Sequence, residues 1–96
     1  MYTVTLKPQA QKFIEGQSKK VQRQLIQRIE ALQEDPRPPA SKCLDAHKKI
    51  YRVRSGDYRI IYQIKDRELL VIVAKAGDRK DVYNNLRTLL QHLSKG

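Results

Sequence analysis

Residues 48–64, KKIYRVRSGDYRIIYQI, decide the fold. Two runs of alternating apolar residues flank Ser55-Gly56-Asp57, a cluster of turn formers. Period-two alternation on both sides of such a turn predicts a β-hairpin. The same stretch carries Lys48, Lys49, Arg52, Arg54 and Arg59. An ordinary hairpin needs one apolar side and any soluble residue on the other, so five cations raise the question of a partner.

Outward from the hairpin, the alternation predicts strands over 49–54, 58–65 and 68–75. The first two are joined at 55–57 and the next two at 65–67. Upstream, YTVTL at 2–6 is β-branched and alternating, which predicts a short first strand. Pro8 suits the first turn of a helix and Gly16 its end, with Ala10, Phe13 and Ile14 on the buried side. Ser18 is a good N-cap for a second helix. Val21, Leu25, Ile29 and Leu32 recur there at helical spacing. Asp35 precedes Pro36 and resists the helical region, so that helix stops, and DPRPPASK becomes a stiff connector. After Gly77, Val82, Leu86, Leu89, Leu90 and Leu93 predict a last helix, its stripe packed on the chain's own sheet. The order is β-α-α-β-β-β-α. That is an α+β fold of two layers, a mostly antiparallel sheet against a helical hairpin, forming one domain over residues 1–96.

The chain holds 20 Lys and Arg against 10 Asp and Glu, a net charge of +10, which points to a polyanionic partner. From Arg37 to Arg59 there are seven cations (Arg37, Lys42, Lys48, Lys49, Arg52, Arg54, Arg59) and two acids (Asp45, Asp57). A charge so concentrated suggests a site rather than general solubility. Cys43 is the one cysteine, so no internal disulfide forms, and a reducing compartment fits. His47 is near it in sequence but His92 is far away, and no metal-ligand spacing appears. The N-terminus does not look like a secretory signal, and LLVIVA at 69–74 is too short to span a bilayer. A cytoplasmic protein without membrane attachment is therefore expected.

Alternation places Arg52 and Arg54 on one strand face, and Arg59 on the matching face of the next strand. Guanidiniums are planar forks suited to phosphate oxygens, and three together repel unless an anion lies between them. The hairpin fits a phosphate site. It fits equally a solvated face whose arginines splay into water or pair with Asp57 and Asp66. GDRKDVY at 77–83 favours the first reading. If the last helix has begun, Arg79 and Tyr83 lie one turn apart on one side. A tyrosine beside arginines can stack on a base while the cations hold the backbone. The competing reading makes Tyr83 a core residue.

YRVRSGDYRIIYQI and GDRKDVY together resemble the RelE/ParE superfamily of bacterial toxins, and the RelE branch above all. The likeness covers nearly the whole chain. It implies a type II toxin–antitoxin toxin with a RelE-like fold, acting as a ribosome-dependent mRNA endoribonuclease that blocks translation. The implied partners are a cognate antitoxin, the ribosome and mRNA, with no small-molecule cofactor. Carried over by motif, the implied catalytic residues are Arg52, Arg54, Arg59, Arg79 and Tyr83, with Lys48 and Lys49 binding RNA. Two family lysines fall at Arg52 and Arg54, and a common histidine falls at Asp78. With no carboxylate–histidine cluster, metal-free attack by the 2′-hydroxyl is expected. The alternatives are a ParE-like gyrase inhibitor and a non-catalytic or decayed RNA-binding relative.

Overall fold

The computed structural model describes the backbone of residues 1–84 and 86–95, and their side chains except those of Leu90 and residues 92–95. The elements are β1 (Thr3–Leu6), α1 (Pro8–Glu15), α2 (Lys19–Glu34), β2 (Ser41–Asp45), β3 (Ile50–Ser55), β4 (Tyr58–Lys65), β5 (Leu70–Asp78) and α3 (Leu86–Lys95). One sheet forms in the order β1-β5-β4-β3-β2. Only β1 and β5 pair in parallel; the other neighbours are antiparallel. This is the expected α+β order with one strand added. Among the described residues no helix is long and apolar enough to cross a membrane.

The helices begin and end where local chemistry requires. Pro8 opens α1 and Gly16 closes it. The Ser18 hydroxyl accepts the Val21 N–H at 3.3 Å, taking up a donor that the first turn of α2 leaves unpaired. Asp35, extended before Pro36, ends α2. Ala10, Ile14, Leu25, Ile29 and Leu32 then pack on one sheet face, against Val53, Ile60, Tyr62, Ile64, Val71, Val73 and Ala76. These sheet residues are the apolar set that alternation assigns to one side.

The other face is covered more sparsely. Ile50, Ile61, Ala74 and Val82 are buried there, with Leu44, Leu86 and Leu89 packed around them. α3 therefore lies opposite the helical hairpin and leaves part of this face open. Of the predicted stripe, Val82 is buried and Leu86 and Leu89 are half-buried. The side chains of Leu90 and Leu93 lie outside the described residues.

Three boundaries differ from expectation. β2 is an edge strand that the sequence pattern does not reveal. An edge strand bonds through one side only, so SKCLD needs no strict alternation, and its ladder is interrupted between Cys43 and Asp45. The connector before it is anchored by the Tyr62 hydroxyl, which donates to the Pro36 carbonyl at 2.7 Å. β5 runs on to Asp78 rather than stopping near 75. It carries an extra residue, since Val73 faces Tyr62 while Lys75 faces Ile61. Gln9 steadies the strand beyond this bulge: its side chain accepts the Ala76 N–H and donates to the Ala76 carbonyl. Finally, the last helix starts at Leu86, well after Gly77. The Asp78 carboxylate accepts the N–H groups of Lys80 and Asp81, at 3.0 and 2.8 Å, and a turn so closed competes with helix formation.

Candidate nucleic-acid interface

The β3–β4 register fixes the cationic face. Arg54 stands directly opposite Arg59, and Arg52 opposite Ile61. All three arginines leave the sheet on the face away from the helical hairpin, because their neighbours Val53 and Ile60 are buried under the helices. The tip between the strands turns through Gly56 at φ +60°, a conformation that favours glycine. A Cβ there would also lie 2.5 Å from the Gln24 side chain on α2. The hairpin tip is thus seated on the helical layer, which holds the arginines above it in place.

β5 brings the second motif to this tip. Gly77 pairs with Arg59 and Asp78 with Tyr58. The Arg79 N–H then donates to the Asp57 carbonyl at 3.0 Å, tying the 78–82 turn to the hairpin turn. A shallow depression between them is lined by Asp57, Asp78, Arg79 and Lys80. Arg79 and Tyr83 do not share a helix face as expected, since residues 79–84 form successive turns. Both are nevertheless exposed, Arg79 beside the tip and Tyr83 four residues on with 36% of its surface open. That exposure removes the reading of Tyr83 as a core residue; the neighbouring Val82 fills the core instead.

The electrostatics are one-sided. Asp66, a candidate to neutralise the arginines, is engaged elsewhere. It pairs with Arg37 at 2.9 Å and Lys49 at 2.8 Å, and accepts the Tyr2 hydroxyl at 2.8 Å. Arg37, Lys49 and Tyr2 hold its carboxyl well below the usual carboxylate range. Among the described residues no carboxylate pairs with Arg52, Arg54, Arg59 or Arg79. Arg59 instead donates to the carbonyls of Tyr58 and Gly56, at 3.1 and 3.4 Å. Arg52 Nη1 is buried with no hydrogen-bond partner among the described residues. Unpaired buried donors are rare because each costs roughly 1–3 kcal/mol.

Asp78 is no free base. The backbone N–H groups of Asp81 and Lys80 lower its pKa, so its carboxylate is a poor proton acceptor. Lys48 and Lys49 lie in the turn before β3, at the end opposite the tip, beyond Ile50, which is itself about 13 Å along the strand from Arg54. Lys48 is half-buried, and the ammonium of Lys49 is bound to Asp66. The structure therefore sets Arg52, Arg54, Arg59 and Arg79 on and beside the hairpin, leaves Tyr83 exposed on the turns that follow β5, and sets the two lysines apart. Among the described residues no three side chains of His, Cys, Asp or Glu gather as a metal-ligand set.

Known proteins resemble this chain in sequence and in fold. A family model for the ParE toxin of the parDE type II toxin–antitoxin system matches residues 4–83. A putative RelE-like toxin protein of Escherichia coli is 30% identical over 87 residues, covering 86% of this chain and 90% of that protein. The chain belongs to the RelE/ParE superfamily of toxins. Solved structures carry the same fold. A chain of the archaeal RelE–RelB complex from Pyrococcus horikoshii OT3 superposes with a TM-score of 0.75 at 25% identity, over 81% of this chain and 94% of that one. A chain of the intact E. coli RelBE toxin–antitoxin complex does so with a TM-score of 0.69 at 29% identity, over 81% and 96%.

Lys42 is the residue of this toxin that sequence reasoning leaves unplaced. It counts in the basic run, but only the unpredicted strand β2 shows where it stands, directly opposite Arg52. The signal that could have found it is the edge strand itself.

Proposed function

We propose that this toxin is a ribosome-dependent mRNA endoribonuclease that blocks translation in the cytoplasm and is neutralised by a cognate antitoxin. The observation that carries the reading is the register that sets Arg54 opposite Arg59, with the Arg79 backbone tied to the hairpin tip and Tyr83 exposed on the turns that follow. Guanidiniums without acidic partners, next to an open aromatic ring, suit a strand of RNA.

In the proposed reaction the ribose 2′-oxygen attacks the adjacent phosphorus, and the bond from phosphorus to the 5′-oxygen breaks. A cyclic phosphate and a 5′-hydroxyl result. The 2′-hydroxyl loses a proton and the leaving oxygen gains one. Arg59 and Arg79 stabilise the extra negative charge on the phosphorane-like transition state. Arg52 and Arg54 act as fixed positive charges, since guanidinium stays protonated. Tyr83 stacks on a base flanking the scissile bond. The ribosome supplies the alignment that an open, shallow site does not. That similar chains are solved as the RelE–RelB and RelBE complexes supports an antitoxin partner for this chain as well. A strongly basic toxin suits an acidic partner that orders on binding.

Primer extension on cellular mRNA after a brief pulse of expression tests the reading. Cuts within translated codons are expected; intact mRNA would overturn it. Cleavage is also expected to persist when pre-assembled ribosomes are given excess EDTA and assayed briefly. Loss of activity restored only by zinc or manganese would contradict a metal-free reaction. The ParE description of the matching family model favours one second reading, inhibition of gyrase. Trapped gyrase breaks after induction, with uncut mRNA, would establish it.

A further inference from the structure

The cationic face consists of two rows rather than one patch. The first row crosses the tip, with Arg54 opposite Arg59 and Arg59 opposite Gly77. The second lies two residues back along β3. There Lys42 is opposite Arg52, Arg52 opposite Ile61, and Ile61 opposite Lys75. Two residues of extended strand separate the rows by about 7 Å. That is close to the distance between adjacent phosphates in a nucleic-acid strand. In the second row Lys75 is occupied, because its ammonium donates to the Asn84 carbonyl at 2.5 Å. Ile61 is buried. Lys42 is exposed, and among the described residues its side chain has no hydrogen bond or ion pair. Its neighbour Arg52 holds the unpaired buried Nη1.

We infer that Lys42 and Arg52 form a second phosphate subsite. It grips the backbone phosphate next to the scissile one, so that the RNA runs from the hairpin tip towards the edge strand β2. The ammonium of Lys42 meets the phosphate from the open edge. The guanidinium of Arg52 turns towards the same oxygens and satisfies the donor that it leaves unpaired in the free protein. An edge position suits this role, since no further strand crowds Lys42 on its outer side. The inference rests on the nuclease reading and adds the direction of the substrate strand.

The test is single-turnover cleavage of mRNA on programmed ribosomes, with and without one uncharged methylphosphonate linkage placed 5′ or 3′ of the scissile bond. Lys42→Ala is expected to slow cleavage of ordinary mRNA roughly tenfold, as for one lost charge-assisted contact, and Lys42→Arg to restore most of the rate. One of the two methylphosphonate mRNAs is expected to be cut slowly by the parent protein, with no additional slowing by Lys42→Ala. Lys12→Ala on α1, on the other side of the sheet, should leave the rate unchanged. The subsite is overturned if Lys42→Ala has no effect, or if it slows all three mRNAs by the same factor. Failure of the unmodified protein to cut ordinary mRNA on ribosomes would defeat the nuclease reading itself, and that is read from the parent protein alone.

Discussion

Arg54 and Arg59 stand directly opposite each other, an arrangement that costs the sheet stability. Like charges directly opposite on neighbouring strands destabilise a sheet by roughly 0.2–1 kcal/mol, and nothing among the described residues neutralises this pair. Arg54→Thr replaces one charge with a good strand former. We predict a melting temperature raised by about 2–4 °C, together with weakened growth arrest. A variant both less stable and fully toxic would show that the pair serves the fold instead. Arg59→Ala and Arg79→Ala are expected to abolish growth arrest while circular dichroism stays that of the parent. Toxicity equal to the parent at equal expression would move the site elsewhere. The same reasoning narrows the proton-transfer question. Arginine at 52 and 54 does not accept a proton, and Asp78 is committed to backbone N–H groups. In the proposed nuclease reaction these groups therefore act through their charge and not as a base, and the alignment proposed for the ribosome carries more of the rate.

At the scale of the element, the hairpin and the 78–84 turns position one another. Gly56 is where this is most sensitive. Its φ of +60° strains any residue with a Cβ, and Gln24 occupies the space that the Cβ would take. Gly56→Ala is predicted to cost about 1–2 kcal/mol, seen as a melting temperature lower by roughly 5–10 °C. Adding Gln24→Ala should recover only the steric part, because the backbone strain remains; full recovery would mean that strain is not the cause. The hairpin and the α2 stripe were legible because each buries a regular face, and burial writes a period of 2 or 3.6 into the residues. β2 was not legible, since an edge strand packs little and bonds through its backbone. The start of α3 was not legible either. Apolar spacing from Val82 onward reads as helix, but the side chain of Asp78 closes the chain into a turn that periodicity does not register. The candidate site was legible as a cationic face because Arg52, Arg54 and Arg59 load a strand pair with charge that its fold does not need. Lys42 stayed hidden with the strand that carries it.

Across the whole molecule, the ion pairs among the described residues gather at one end of the sheet. At the hairpin tip the cations lack acidic partners. At the other end of the sheet, Asp66 in the β4–β5 turn gathers cations from distant segments. Arg37 comes from the connector, Lys49 from the turn before β3, and Tyr2 adds its hydroxyl from the start of β1. Arg37 also donates to the Tyr51 hydroxyl and lies 5.5 Å over its ring. This latch makes stability depend on acid pH, with a definite sign. The folded chain holds the Asp66 carboxyl well below the usual range, whereas the unfolded chain leaves it near about 3.9. Between those values the unfolded chain binds the extra proton, so stability rises with pH there. The latch contributes fully above the unfolded value and is lost as pH falls through the folded one. Urea midpoints measured from pH 7 down to pH 3 are therefore expected to fall from about pH 5 downward. Asp66→Asn should lower the midpoint at pH 7 and flatten that decline, since its side chain carries no proton to gain. Parallel pH profiles for the two proteins would show that other carboxylates set the acid limb and that Asp66 is only one surface charge among several.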